Sequence, residues 1–511
     1  MPEQPYYAVI DMGSNTIRLV IYKMNAFNEL SEEQNLKYTA RLRSYLEDDN
    51  TINKKGINVI LTTLKMFQPI TRSYNLTSTT VIATAAVRQA KNKEEIIKIV
   101  ESKTDYNMTI LTEKEEAYFG YLSVIQSTNL ENGYTIDIGG GSTEITYMEN
   151  RKMKHSHSFP FGALTLQKEF IHNEKPTSKE LDKLNNYVCD QFSQISWIKK
   201  RNLRVAGIGG SARNLSLIHQ KRYKYPLSGI HHYEFPSEEI EVVVDSLREL
   251  PLQNRKKVDG LSKERADIII PAIQAIFSFT QFVKAPSFLM CRKGLREGYM
   301  YETLISNEVT DRFPNITEKN IDALSRKYNI NKKRVASLER TAFLLAEQFS
   351  QADYLRLEGW NYLLQQAAQL NYMGDHIESE SVSQHTFYIL SNTALNGMNH
   401  KERIILALLA SYKNKSTFKD FVSPYSSWFT EDELVQIERL GAILKVAYFL
   451  NTTNRNIVKE IKLLNVKQEN RITLQIGCTM DFEFEKVKCE KHIKHLEKTL
   501  GIAIDLHFLL T

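Results

Sequence analysis

One short phrase occurs twice in this chain, as VIDMGSNTIRL at Val9–Leu19 and as TIDIGGGSTEIT at Thr135–Thr146. Each copy ends an apolar, strand-like run on an aspartate, turns on glycine, and enters a second strand-like run. The strands predicted are Tyr7–Asp11 with Ile17–Met24, and Gly133–Asp137 with Thr143–Met148. Two such units about 125 residues apart imply a duplicated α/β fold with a cleft between its halves. Ser78–Ala85 reads as a further buried strand and Lys93–Ser102 as a helix.

Beyond residue 305 the texture changes. Glycine becomes sparse, and Val335–Phe349, Tyr362–Leu370 and His385–Leu395 carry apolar residues at helical spacing. The chain closes with a predicted strand Arg471–Gly477, helix Val487–Leu500 and strand Ala503–Leu509. At 511 residues it exceeds what one hydrophobic core supports.

The glycine turns carry the chemistry. Asp11 stands at the carboxyl end of a buried strand, where side chains open into a ligand crevice. Gly13 permits a sharp turn whose N–H groups converge on an anion, and Ser14 and Asn15 add side-chain donors, with Arg18 just beyond. The alternative for this loop alone is a hairpin that only reverses the chain. In the second copy, Gly139, Gly140 and Gly141 leave the backbone bare, followed by Ser142. Asp137 and Glu144 bracket them as hard oxygen ligands, which suits magnesium shared with a phosphate. A third signal, Gly209–Gly210 in RVAGIGGSARN, precedes a helix whose N-terminus can hold phosphate.

Hydrolysis at phosphorus needs a carboxylate to orient and deprotonate water. TEKEEAYFGYLSV offers Glu115 and Glu116, which on a helix point about 100° apart, so only one can face a cleft. Ala117, Gly120 and Tyr121 lie on the inward face with Glu116, leaving Glu115 outward. Two solvated glutamates are the alternative. Arg88, in IATAAVRQAKN, can clamp a phosphoryl group; pairing with a nearby acid is the simpler reading of that arginine alone. Arg296, flanked by Gly294 and Gly298, reads as part of a close-packed turn into a helix.

Four cysteines, Cys189, Cys291, Cys478 and Cys489, form no CxxC pair, which argues against a disulfide framework or zinc site and for a reducing, cytoplasmic location. The sequence contains no apolar run of membrane-spanning length, and MPEQPYYAVIDMG lacks the pattern of a signal peptide. A net charge of +6 suits a polyanionic substrate and equally a solvated lysine-rich surface. Lys199–Arg204, Arg255–Lys257, Lys332–Arg334 and Lys413–Lys419 are candidate basic stretches for a polyanion path.

Eight ordered segments between Tyr7 and Glu302 together resemble the exopolyphosphatase / guanosine pentaphosphate phosphohydrolase family, a branch of the actin-like ATPase superfamily. They are VIDMGSNTIRL, TAAVRQAKN, EKEEAYFGY, TIDIGGGSTEIT, FPFGALTLQKEF, GIGGSARNL, ERADIIIPAIQAI and KGLREGYMYE. The resemblance implies a duplicated actin-like (ribonuclease H-like) α/β half at 1–125 and 126–305, a helical HD-like domain at 306–460 and a small α/β tail at 461–511. It implies Glu116 as catalytic base and Asp137 and Glu144 as the magnesium-associated acids. Phosphate contacts fall on Asp11, Gly13, Ser14, Asn15, Arg88, Gly139, Gly140, Gly141, Ser142, Gly209 and Gly210. Also implied are K+ as an activator, a homodimer, and inorganic polyphosphate or guanosine pentaphosphate as substrate, with neither nucleic acid nor membrane as partner. A non-catalytic alarmone or polyphosphate sensor and a sugar-kinase-like phosphotransferase are the competing classes; intact acids oppose the first, and Glu116 in an EEA segment favours water over a sugar acceptor.

The chain departs from that family in places. Thr16 and Ser211 replace a usual serine and threonine. Leu370-Asn371-Tyr372-Met373-Gly374 stands where the family reads LHDIG or LHEIG, and Lys413 follows Tyr412 where a histidine is usual. Of the histidine cluster only His385 remains, so a second, metal-dependent hydrolytic centre is expected to be lost.

Overall fold

The computed structural model describes residues 4–27, 29–304, 315–464 and 470–511. Its contacts divide the chain into two compact units, Met1–Tyr225 with Ile230–Phe313, and Pro226–Gly229 with Pro314–Thr511. The sequence boundary at 305/306 falls outside the described residues.

The first unit is built on two sheets. One comprises β1 (Tyr6–Met12), β2 (Thr16–Met24), β3 (Leu30–Thr39), β4 (Leu76–Ala83) and β5 (Asn107–Ile110), in the order β3-β2-β1-β4-β5. The other comprises β6 (Gly133–Ile138), β7 (Thr143–Glu149), β8 (Lys152–Phe159), β9 (Val205–Ile208), β10 (Tyr233–Pro236) and β11 (Ser287–Met290), in the order β10-β11-β9-β6-β7-β8. Apart from the added edge strand β10, the second repeats the first: three antiparallel strands continued by two parallel ones. This is the duplicated actin-like, ribonuclease H-like arrangement.

Period-2 alternation explains why both faces of the central strands are apolar. Ile10, Ile17, Leu19 and Val81 pack into the outer core of the first half, with Ile60 and Leu64 of helix Lys54–Arg72. Their neighbours Val9, Val20 and Ile82 point the other way, into a cluster shared with Phe119, Val124, Ile208, Leu289 and Met300. Helices Glu113–Ile125 and Leu295–Leu304 thus form the layer between the sheets. Gly298 permits this, because a Cβ there would collide with the backbone of Phe119. Behind the second sheet, Phe159, Phe192 and Phe279 are fully buried with edge-on ring contacts. Truncating one of them to alanine would cost about 3–5 kcal/mol.

The second unit is mainly helical. Helices Ile316–Lys327, Lys332–Gln351, Asn361–Gln369, Val382–Asn392, His400–Ala410, Lys415–Val422 and Glu431–Leu450 precede a sheet of β12 (Val458–Leu464), β13 (Arg471–Cys478) and β14 (Ala503–Leu510), in the order β12-β13-β14. The tail helix expected at Val487–Leu500 is two helices, Glu483–His492 and Lys494–Leu500, which meet at Ile493. Asn371 donates to the carbonyl of Ala410 at 3.2 Å, and the Tyr372 hydroxyl to that of Tyr412 at 2.7 Å. At two positions where the chain departs from LHDIG, both side chains therefore serve the backbone. No helix among the described residues is long and apolar enough to cross a membrane.

Candidate active site

The two sequence echoes fold into the same turn. Across β1 and β2, Asp11 stands opposite Arg18, and the Gly13 N–H donates to the carbonyl of Thr16 at 2.9 Å. Across β6 and β7, Asp137 stands opposite Glu144, and the Gly139 N–H donates to the carbonyl of Ser142 at 3.0 Å. The turns face each other at close range. A Cβ on Gly140 would lie 2.9 Å from Ser14 Cβ, and one on Gly141 would lie 3.2 Å from Ser14 Oγ. Helix Ala163–Phe170 holds the second turn from behind, through Ala163 N–H on the Gly139 carbonyl and Leu164 N–H on that of Gly140, both at 2.9 Å.

The third glycine pair closes the wall. Gly209 has φ of 76°, and a Cβ there would strike the Asp137 carboxylate. One on Gly210 would strike the Arg265 guanidinium. Helix Gly209–Arg222 starts here with no side chain capping its N-terminus, which leaves its first N–H groups for an anion. Asn15 is 5 % exposed and neither atom of its amide has a hydrogen-bond partner. Buried amides are rarely left so unless a ligand completes them.

Glu115 and Glu116 separate as the helical angle requires. Thr112 caps helix Glu113–Ile125 in a capping box, and its N–H donates to Glu115 Oε2 at 2.8 Å, so Glu115 is spent on the cap and exposed. Glu116 turns inward, where its Oε2 accepts from Arg88 Nη1 at 2.7 Å. That Nη1 also reaches the carbonyl of Leu111, while Arg88 Nε and Nη2 are buried without partners. Arg88 therefore pairs with the very acid expected to be the base.

Four carboxylates share this region, and each is held above its ordinary pKa. For Glu116 burial dominates, opposed by Arg88 and reinforced by Asp137 and Asp11, and the result is about 7. For Asp137 burial and then Asp11 raise it to about 6, against Arg265 and Arg296. Burial raises Asp11, with Arg296 and Arg18 pulling it down. Burial, then Glu116 and Asp137, push Glu144 well above the carboxylate range, although Ser142 and Ser158 hydroxyls favour its charged form.

A cavity of about 170 Å³ lies over these groups. Its wall takes in Asp11, Gly13, Ser14, Asn15, Glu116, Asp137 and Ser142, with Gly139, Gly140, Gly209 and Gly210 supplying backbone. Arg88, Gly141 and Glu144 are not in that wall. Arg88 and Gly141 stand against Glu116 and Ser14, and Glu144 Oε1 accepts from Ser158 Oγ at 2.8 Å. Conversely, the wall holds five arginines: Arg18, Arg213, Arg265, Arg292 and Arg296. Arg296, read from sequence as a packing residue, bridges Asp11 Oδ2 at 3.3 Å. Arg213, Arg265 and Arg292 were absent from the expected set; the signal for Arg213 and Arg292 was their place within four residues of a glycine turn. Arg255, by contrast, leaves the candidate polyanion path, since it is buried and donates to the carbonyls of Ala266 and Glu174.

The donor set suits magnesium. Asp11 and Asp137 both face the cavity, and Asp11 helps to raise the pKa of Asp137, a repulsion that a divalent cation would relieve. Among the described residues no three His, Cys, Asp or Glu side chains converge as a closed metal site. Magnesium with one or two carboxylates, water and substrate phosphate needs no such cage.

The sequence profile described as "Ppx/GppA phosphatase family" matches residues 20–307, and that described as "Ppx/GppA phosphatase, domain III" matches residues 316–490. The first begins just past the Asp11 turn. The guanosine-5'-triphosphate,3'-diphosphate pyrophosphatase of Pseudoalteromonas translucida (strain TAC 125) is 23 % identical over 450 residues, covering 87 % of this chain and 88 % of its own length. The protein of the same name from Aeromonas hydrophila is 24 % identical over 465 residues, 88 % of each. The crystal structure of the Aquifex aeolicus Ppx/GppA family member shares 23 % identity and a TM-score of 0.53, covering 60 % of this chain and all of that one. An exopolyphosphatase from Cytophaga hutchinsonii shares 22 % identity and a TM-score of 0.54, covering 58 % and 97 %. These two structures share the fold.

Proposed function

From the premise that this chain belongs to the Ppx/GppA phosphatase family of phosphoanhydride hydrolases, we propose that it is an exopolyphosphatase releasing orthophosphate from the end of linear polyphosphate. The observation that carries this reading is Glu116: a carboxylate in the cavity wall, held by Arg88, with a pKa of about 7. A base poised near neutrality both exists unprotonated and accepts a proton well.

In this mechanism the terminal phosphoryl group lies between the two mirrored turns. Ser14, Asn15 and Ser142 and the bare N–H groups of the turns donate to its oxygens, and the wall arginines offset their charge. Arg88 fixes the Glu116 carboxylate. Water attacks phosphorus in line, Glu116 takes its proton, and the anhydride bond breaks with its electron pair leaving on the shortened chain. Magnesium, held by Asp137 with Glu144 and Asp11 close by, would supply charge neutralisation at the phosphoryl oxygens.

Guanosine pentaphosphate is the second reading, favoured by the names of the relatives that align over most of the chain. Orthophosphate release with magnesium should be measured on long-chain polyphosphate and on guanosine pentaphosphate, for the parent chain and Glu116→Gln. A drop of about 10²–10⁴-fold in the variant is expected. No release from either substrate by the parent would remove the hydrolase reading, and an undiminished variant would remove Glu116 as base.

A further inference from the structure

The loop that follows β11 carries two of the wall arginines, Arg292 and Arg296, and its backbone is pinned from outside the cavity. At the far end Glu297 Oε2 accepts the Gly294 N–H at 2.9 Å, and Glu297 Oε1 accepts from the Tyr22 hydroxyl at 3.2 Å. At the near end the Arg292 N–H donates to Nδ1 of His231 at 3.2 Å. The other ring nitrogen of His231, Nε2, lies 2.9 Å from the carbonyl oxygen of Ser127. A backbone N–H can only donate and a carbonyl can only accept, so His231 stands here as the neutral ring with its proton on Nε2. It is 3 % exposed and is not itself in the cavity wall.

Both partners of that ring bear on the site. Ser127 stands just past helix Glu113–Ile125, whose first turn holds Glu116, and its Oγ donates to the carbonyl of Ser123 at 2.6 Å. The same Oγ lies 3.3 Å from Sγ of Cys291, the residue before Arg292. The Arg292 carbonyl in turn accepts from Nη2 of Arg213, a third wall arginine, at 3.5 Å. His231 thus ties the helix of the base to one peptide from which two guanidiniums are set. Filling space alone would be served better by an apolar residue, because a buried imidazole must have its nitrogens satisfied. The two bonds are not equivalent. His232 Nε2 also lies 2.9 Å from the Ser127 carbonyl, so that oxygen has a second donor, whereas among the described residues the Arg292 N–H has His231 Nδ1 alone.

We infer, resting on the hydrolase reading above, that His231 is a positioning residue for phosphate binding. Its Nδ1 fixes the Arg292 peptide and, through that peptide, the guanidiniums of Arg292 and Arg213. Two isosteres separate the ring nitrogens. In His231→Asn the amide oxygen takes the place of Nδ1 and the Nε2 donor is lost; in His231→Gln the amide nitrogen takes the place of Nε2 and the Nδ1 acceptor is lost. Calorimetric titration of inorganic tripolyphosphate with magnesium into the full-length Glu116→Gln chain, with and without each substitution, reads affinity apart from turnover. His231→Gln should weaken binding about tenfold, while His231→Asn stays within about threefold of the unsubstituted chain. Melting temperatures should fall for both. A residue that only fills space would shift both affinities alike or neither, so equal Kd values for the two variants would overturn the assignment. Absence of orthophosphate release by the parent chain would instead remove the hydrolase reading, and the affinity comparison does not depend on it. Where His231→Gln fails to fold, nitrogen NMR of the parent chain labelled at histidine decides, with the His231 signal assigned by its loss in His231→Asn. A ring protonated on Nε2 alone supports the assignment, and a proton on Nδ1 would overturn it.

Discussion

The two glycine turns of the first unit share a backbone and differ in what stands across the strand from the aspartate. Asp11 faces Arg18 and is bridged by Arg296, whereas Asp137 faces Glu144 and has Glu116 nearby. Duplication thus supplied one scaffold, and the cross-strand partner decided the charge of each jaw. The first jaw is neutralised from within. The second concentrates acid, and only there does the repulsion leave work for a cation or a bound proton.

That contrast can be broken most severely at the acids. Asp137→Asn should lower kcat about 10³-fold, as losing a key electrostatic group does, while Asp11→Asn, whose charge Arg296 and Arg18 already offset, should cost only about tenfold. Steady-state kinetics giving the reverse order would show the jaws to be assigned the wrong way round. Making the first jaw resemble the second comes next. Arg18→Glu sets a carboxylate pair opposite the phosphate and should raise KM about a hundredfold, with roughly 3 kcal/mol of attraction lost; an unchanged KM would place Arg18 outside the substrate's reach.

A smaller effect concerns the base. Because Glu116 must be unprotonated to act, kcat/KM should climb with pH up to about 7 and level off above. Arg88 lowers that pKa, so Arg88→Gln should move the rising limb to higher pH. A limb that stays in place or moves down would show that another group titrates.

The smallest expected effect is on stability. Asp137 keeps its proton in the folded state up to about pH 6 and Glu116 up to about 7, whereas the unfolded chain releases both near pH 4. The folded state therefore binds more protons across that window, and stability without ligand falls as pH rises through it. Glu144→Gln removes one of the repelling charges and should raise the melting temperature at pH 8 by about 2–4 °C. A calorimetric decrease would mean that the Glu144 carboxylate is compensated by more than the serine hydroxyls.

Much of this was legible beforehand. Turn, acid and strand recur in the sequence as they do in space, and the 100° step between Glu115 and Glu116 picked the inward one. The T-x-x-E of Thr112–Glu115 would have made that choice firmer, since a capping box claims its glutamate. Arg18 stood beside the first turn in the sequence, but Arg213, Arg265 and Arg292 were hidden for a physical reason: they come from separate elements, and only the closed fold brings them to one cavity with Arg18 and Arg296. Gly298 does pack against Phe119, as its spacing suggested, but that says nothing about the side chain two residues before it. The split of the tail helix at Ile493 was likewise invisible, because apolar spacing runs through the break.

The fit of the glycines also sorts the site for anyone wishing to redesign it. A side chain at position 209 would be strained by its left-handed backbone and would push against the Asp137 carboxylate, and one at position 210 would displace the Arg265 guanidinium. Arg213 and Arg292 stand in the same wall, Arg213 Nη2 donating to the carbonyl of Arg292 at 3.5 Å, so substitutions there should change affinity for the phosphate while the carboxylates keep their places.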